Sequence, residues 1–420
     1  MDPVQVWVAI AGVDVRAGTL YAHRRREAES ATFQYEDSYL ALPEAYALDP
    51  MLPLRAGPFH TPTTHGMFNA FRDSAPDRWG RELIKQRERR TAEGEGRTAR
   101  MLTEVELLLG VRDDLRQGAV RFRPQDQEEF ASSDPSGVPA MTDLPDLLDA
   151  SNRIGRDEAV QEDLLRMIRA GSSLGGARPK VHIRDQQGTI AIAKFPAPAA
   201  DRWAVMTWEK VALDLAEEAG IAVPRSHLVE VGEHRVLIVE RFDRDTEGAR
   251  TGFWSGVTLL EAQEGETRSY VDLAERIEEE SPAPKEDLQQ LWRRIAFNIL
   301  IANTDDHLRN HAFLRDPRMG WRLSPAFDMN PNPEPVYRRM ATAIDDRNSD
   351  ASSEALVEVA PIYFRLTEDQ ALEVLHEVSA VVDRWQEIAE MLRAGGPEID
   401  MMRTAFSNPA GEQIRHLTGR

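Results

Sequence analysis

The chain contains no cysteine in 420 residues, and that absence removes disulfide frameworks, thiolate zinc centres and cysteine nucleophiles together. Any catalysis must therefore use oxygen and nitrogen groups. Long apolar runs are also missing: nothing approaches the roughly 18 to 20 residues that a membrane-spanning helix requires. The opening MDPVQVWVAI lacks the basic stretch and small-residue cleavage site of a secretory leader, so a cytoplasmic protein with no membrane partner is expected. Positive charge is in deficit, with a formal net charge of −20. This excludes a surface that is basic throughout and binds nucleic acid by itself. Two local basic stretches stand out, Arg24 to Arg26 and Lys85 to Arg100. The second alternates with Glu88, Glu93 and Glu95 and reads as a solvated helix end and loop.

What is present is an ordinary soluble balance, 41% hydrophobic and 29% charged, in a chain long enough for two or three subdomains around at least two cores. Val4 to Ile10 alternates apolar and polar residues, Thr32 to Tyr35 does the same, and Gly12 and Gly18 offer turns, so a small N-terminal sheet is expected. From Ala75 the period becomes helical, with Asp77 as a cap and Trp79, Leu83 and Ile84 on one face. A second helix is expected from Leu102 to Val111. Residues 124 to 141 are rich in Pro, Ser and Gly and read as a linker.

Helical stretches at 143–151 and 157–170 lead into GSSLGGARPK. Two strands follow, Val181 to Arg184 and Thr189 to Phe195, joined by turn residues Asp185 to Gly188. Then come a helix from Val205 to Ala219 that closes at Gly220 and strands Ser226 to Val231 and Arg235 to Glu240. From about 268 onward the pattern is helical, with apolar spacing in Leu288, Leu291, Ile295, Ile299 and Ile301. The expected fold is α+β and protein-kinase-like, with a mixed α/β lobe before a mostly helical C-terminal lobe. The expected divisions are 1–123, 124–244 and 245–420.

The sharpest chemical signal is DDHLRN, just past the apolar segment IAFNILIAN. Phosphoryl transfer needs a carboxylate to orient and deprotonate an acceptor hydroxyl and a nearby amide oxygen to hold Mg²⁺; the kinase catalytic loop spaces them as Asp-x-x-x-x-Asn. Asp305 and Asn310 have that spacing. Eighteen residues later, Asp328 follows Ala326 and Phe327 where a kinase keeps its principal metal acid, and hard oxygen ligands of this kind suit Mg²⁺. The bland alternative is that Asp305 and Asp306 only cap a turn; Asp306 also competes with Asp305 for the role of base. His307 occupies the slot two residues after the base, where many kinases carry a phosphate-contacting lysine, and is a candidate for that work. A zinc reading of His307 and His311 lacks a third ligand.

Upstream, Ser172, Ser173, Leu174, Gly175 and Gly176 lie in a glycine-rich stretch whose backbone amides could approach ATP phosphates. Lys194 stands in the apolar strand TIAIAKFP, where burying an ammonium is costly unless an anion meets it. Glu209 on the following helix is its best-placed acidic partner, with Glu217 and Glu218 as alternatives.

Taken together, SLGGARPK, IAIAKFP, TWEKVALDLAEEAGIAVP, VERFDR, TDDHLRN and SPAFD resemble the HipA family of toxin kinases, and MFNAFRDSAPDRWGRELI resembles that family's N-terminal region. The resemblance implies a serine/threonine protein kinase that uses ATP and Mg²⁺. It also implies that Glu240 and Phe242 present hinge backbone groups to adenine, that Asp243 contacts the ribose, and that Ser173 (or Ser172) is autophosphorylated. It implies a HipB-like helix-turn-helix antitoxin that contacts operator DNA, and growth arrest through a translation component such as an aminoacyl-tRNA synthetase. Two other readings stay open on the residues alone: a small-molecule phosphotransferase, and a non-catalytic co-repressor scaffold. Met329 after Asp328 departs from the Asp-Phe-Gly pattern of eukaryotic kinases.

Overall fold

Buried Val4, Val6 and Val8 alternate with half-buried Gln5 and Trp7, and this period of two builds strand β1 (Val4–Ile10) on one face of a sheet. The computed structural model describes residues 2–25, 28–62, 65–132, 137–171, 178–185, 188–334, 339–347 and 350–419. The chain divides into two compact units, Met1–Ala200 with Glu230–Trp254, and Asp201–Val229 with Ser255–Arg420.

In the first unit β1 pairs antiparallel with β2 (Val13–Arg25), which pairs with β3 (Ala28–Tyr35), and β3 with β4 (Pro58–His60); β5 (Val120–Pro124) covers the other edge of β1. The short helices α1 (Asp37–Leu40) and α2 (Asn69–Asp73) follow β3 and β4. Helix α3 (Arg78–Gly94) starts where Asp77 accepts the Gly80 N–H at 2.7 Å. Helix α4 (Glu104–Leu109) opens on a capping box between Thr103 and Glu106. The charges expected to be solvated are paired locally, Arg97 with both Glu88 and Glu95 at 2.6 Å. Helices α5 (Leu144–Gly155) and α6 (Gln161–Arg169) precede a second sheet, in which β6 (Lys180–Arg184) and β9 (His234–Glu240) flank β7 (Ile190–Lys194) antiparallel.

The second unit begins with helix α7 (Val205–Glu218). Strand β8 (Ser226–Val231) carries the chain back to the first unit, and β10 (Phe253–Ser255) carries it out again. Then come α8 (Gly256–Leu259), α9 (Tyr270–Glu280) and α10 (Pro284–Leu300), whose Leu288, Leu291, Ile295 and Ile299 are all buried. A hairpin of β11 (Ala312–Asp316) and β12 (Gly320–Leu323) follows. The unit closes with α11 (Ser353–Tyr363), α12 (Glu368–Val382), α13 (Trp385–Met391), α14 (Gly396–Phe406) and α15 (Pro409–Leu417). Among the described residues no helix is long and apolar enough to cross a membrane.

The α+β class holds, but the middle of the expected three divisions is cut at residues 201 and 230. Packing is the reason. Trp208 of α7 is fully buried beside Trp385 and Phe406, so α7 belongs with the C-terminal helices rather than with the strands that flank it in sequence.

Candidate active site

The catalytic-loop candidates sit on a turn between α10 and β11. Helix α10 ends at Leu300, Ala302 takes a left-handed backbone with φ of +51°, and a tight series of bonds follows. His307 N–H donates to the Asp305 carbonyl at 2.8 Å, Asn310 N–H donates to the His307 carbonyl at 2.8 Å, and Asn310 Nδ2 donates back to the Asp305 carbonyl at 3.2 Å. The five-residue step read from sequence is thus closed by a side-chain bond. With its NH₂ committed to that carbonyl, the buried Asn310 amide keeps its oxygen as the group able to face a cation.

The two adjacent acids have different surroundings. Asp305 is exposed. Asp306 is 4% exposed, and its Oδ2 accepts from the Tyr270 hydroxyl at 2.5 Å and Asn298 Nδ2 at 2.8 Å, with His311 Nε2 at 3.0 Å. The Asp306 carbonyl accepts from Thr342 Oγ1 at 2.7 Å. Burial pushes its carboxyl up, but His311 and the Tyr270 hydroxyl outweigh this and hold it below the ordinary carboxylate range. Asp306 is therefore the internal anchor of the loop, and Asp305 is the acid that can meet an incoming hydroxyl.

Desolvation raises the Asp305 carboxyl above its ordinary value; His307 opposes the shift, while Asp328 and Asp306 add to it. The like charge of Asp328 disfavours the ionised form of Asp305, and a divalent cation held by these oxygens would relieve that repulsion. Asp328 itself holds φ at +60°, an uncommon backbone for a residue other than glycine. It is seated by buried neighbours on both sides, Ala326 and Met329. The Ala326 N–H donates to the Ala222 carbonyl at 2.7 Å. Upstream, the buried Arg294 guanidinium donates to the Ser324 carbonyl and the Ser324 N–H donates to Ala312 O at 2.8 Å, fixing the exit of the β11–β12 hairpin. An amide oxygen and a carboxylate are hard donors of the type Mg²⁺ takes, so these residues fit the metal. The buried Nδ1 of His307 has no hydrogen-bond partner among the described residues.

The first unit carries the other candidates. Ser172, Ser173, Leu174, Gly175 and Gly176 lie outside the described residues. Gly171, just before them, has φ of +84°, and a Cβ there would stand 2.6 Å from His182 Nδ1. Lys194 ends β7, half-buried, in register opposite Lys180 on β6 and Leu237 on β9. Glu240 ends β9, and both it and Phe242 are half-buried.

Asp243 is 3% exposed, and its carboxylate is taken by protein donors. It accepts from Arg241 at 2.8 and 2.7 Å, from Arg244 at 3.0 Å and from the Gly118 N–H at 2.7 Å. Three of those bonds fall on Oδ2 and one on Oδ1, so the structure gives Asp243 a clamping part among buried donors. The clamp is wide: Arg241 also donates to Leu115 O at 2.8 Å and Arg116 O at 3.2 Å, and Arg250 donates to Asp113 O at 2.6 Å.

Sequence reasoning missed Asp306 as an anchor and missed Lys180, whose buried Nζ lies 2.9 Å from Asp77 Oδ2. A signal for the anchor existed: Asn298 and Asn303 interrupt the apolar run IAFNILIAN, and polar residues placed among buried ones need partners.

The family description of the HipA N-terminal domain matches residues 8–111, and that of the HipA-like C-terminal domain matches residues 172–385. The chain belongs to the HipA family. Across 99% of both chains it superposes, at TM-score 0.67 and 16% identity, on HipA of Shewanella oneidensis, solved as a toxin–antitoxin complex with HipB and operator DNA. It is 23% identical over 71% of each chain to a Sinorhizobium fredii protein named "Putative kinase Y4mE". It is 25% identical to a Haemophilus influenzae protein named "Putative kinase" over 39% of this chain and 54% of that one.

Proposed function

We propose that this chain is an ATP-dependent protein serine/threonine kinase and the toxin of a HipA/HipB-like pair. The observation that carries this reading is the division of labour in DDHLRN. One acid is exposed and electrostatically tied to Asp328, the next is buried as an anchor, and Asn310 is locked to the loop by its amide nitrogen. Bound Mg·ATP supplies the transferable phosphoryl group and the cationic charge that offsets its oxygens.

In this reading Asp305 orients a serine or threonine hydroxyl and accepts its proton. A carboxyl held above its ordinary value is a somewhat stronger base than a free one. Asn310 and Asp328 would hold Mg²⁺. Lys194, His307 and the backbone of residues 171–176 would hold phosphate oxygens, and the backbone of Glu240 and Phe242 would meet adenine. Positioning and charge supply most of the acceleration, because phosphoryl transfer asks for little covalent help. A helix-turn-helix antitoxin of HipB type, itself the main reader of operator DNA, is the proposed partner. The acidic charge of this chain suits that arrangement. The protein substrate is proposed to be a translation component such as an aminoacyl-tRNA synthetase.

The test is intact-mass spectrometry of wild type and Asp305→Ala, each incubated with Mg·ATP and mapped over residues 165–185. Phosphate on Ser173 or Ser172 in wild type alone supports a self-modifying kinase. ATP binding without phosphate on either protein, from unmodified material, sinks autophosphorylation and favours a small-molecule acceptor or a scaffold.

A further inference from the structure

We infer that Glu398, which lies beyond the stretch 172–385 matched by the HipA-like C-terminal domain, is a positioning residue for phosphoryl transfer that acts through helix α7; the inference rests on the kinase reading above. Helix α7 has no side-chain cap of its own, because Ala204 stands at the N-cap. Glu398, in the first turn of α14, supplies a carboxylate there instead. Its Oε1 accepts from the Ala204 N–H at 3.1 Å and its Oε2 from Trp208 Nε1 at 2.9 Å. A negative group at a helix N-terminus also meets the positive end of the helix dipole.

One carboxylate therefore fixes both where α7 begins and how it is rotated. Trp208 is fully buried, 6.1 Å from the Trp385 ring and 6.3 Å from Phe406, and those two rings stack at 4.5 Å and 3°. The next residue is Glu209, the acid that the sequence offers as the partner of the phosphate lysine, and it is 2% exposed. Rotating α7 to free Trp208 would carry Glu209 with it.

The far end of α7 is gripped as well. Arg384 donates to Glu218 Oε2 at 2.7 Å, Arg293 to Ala219 O at 2.9 Å and Gln290 to Gly220 O at 2.9 Å. Two residues on, the Ala222 carbonyl accepts from Ala326 N–H, two residues before Asp328. A continuous series of bonds thus runs from α14 through α7 to the segment bearing the metal acid. The same C-terminal region closes α10: Asn408 Nδ2 donates to Ile299 O at 2.9 Å and Leu300 O at 3.2 Å, just ahead of the catalytic loop.

The experiment uses the full chain with Glu398→Ala, Glu398→Gln and Trp208→Phe, and Glu390→Gln on the exposed face of α13 as a control. Phosphate incorporation is followed by intact mass across ATP concentrations, and hydrogen exchange by peptide mass. Glu398→Ala is expected to speed exchange in 204–222 and 324–330 and to lower the maximal rate about 10-fold, with half-saturating ATP changed less than about 3-fold. Glu398→Gln, which keeps one carbonyl acceptor, falls between, and Trp208→Phe, which keeps a ring but loses the donor, shifts in the same direction. An unchanged rate despite faster exchange at 204–222 overturns the inference. So does a uniform rise in exchange that includes 284–300, which marks a merely structural role. If wild type incorporates no phosphate, the kinase reading fails by itself. The exchange data then decide the mechanical link alone: faster exchange at both 204–222 and 324–330 upholds it, and exchange confined to 204–210 or absent overturns it.

Discussion

The Tyr270 hydroxyl at the start of α9 donates to Asp306 Oδ2 at 2.5 Å across 36 residues of chain. Both groups are buried, and each changes the other. Burial, with the charge of Asp306 added to it, drives the phenol well above its ordinary value, while the phenol helps hold the carboxyl down. Tyr270→Phe removes a donor to an ionised acceptor and should cost about 1.5–3 kcal/mol. Urea unfolding followed by circular dichroism reads that loss. Phosphate incorporation should fall as well, because the loop carrying Asp305 loses an anchor. A fall in rate with an unchanged urea midpoint would contradict the anchoring role.

Asp305 should titrate above the usual carboxylate range in the metal-free protein, since desolvation and the like charge of Asp328 and Asp306 both disfavour its ionised form. Asp328→Asn removes one of those charges and should move the Asp305 carboxyl downward. Carbon-13 NMR of labelled aspartate side chains measures it. An upward or absent shift would mean that the two groups do not share a field.

Asp243 makes a different claim on pH. Its carboxyl is held well below the ordinary value by Arg241 and Arg244 against the opposing push of burial. The unfolded chain binds a proton there near pH 4, so this stabilisation is fully present above that point and is lost as pH falls toward the depressed folded value. Asp243→Asn should cost about 3–5 kcal/mol at pH 7, because buried guanidinium groups are left without their anion. The gap between wild type and variant should narrow as pH drops from about 4 to 2. A gap that stays constant over that range would show that the clamp is not ionic.

Lys180 and Asp77 test a buried pair whose side chains are 5% and 1% exposed. Lys180→Met alone leaves an unpaired carboxylate and should be destabilising by about 3–5 kcal/mol, whereas Lys180→Met with Asp77→Asn should recover much of that loss. The recovery follows because Asn still accepts the Gly80 N–H that caps α3. Additive losses in the double variant would argue that the two residues do not act as a pair.

Local signals carried much of this fold and less of the candidate site. Asp77 announced α3 because a cap acts within one turn, and Leu288 to Ile299 announced α10 because its apolar residues recur on one face. The spacing of Asp305 and Asn310 was legible for the same reason. The five-residue step to Asn310 favoured Asp305 over Asp306, but the anchoring part of Asp306 was hidden, since it is set by Tyr270, Asn298 and Thr342, brought in by three other segments. Asp243 carries the side chain expected of a ribose ligand, and only the arrival of Gly118 and Arg241 shows that its carboxylate also clamps buried donors. The allegiance of α7 was hidden in the same way, because Trp208 meets Trp385 and Phe406 from far along the chain.

The left-handed backbone of Asp328 narrows the mutational routes open to this position. Asparagine tolerates that conformation at least as well, but it surrenders the charge. Glycine relaxes the backbone and brings no ligand, and glutamate keeps the charge on a side chain with less tolerance for positive φ and a longer reach. Each single replacement satisfies at most one of two demands, so under the proposed kinase function descendants that lose Asp328 should lose phosphoryl transfer in one step, and restoring the acid elsewhere would require rebuilding the turn from Ser324 to Met329.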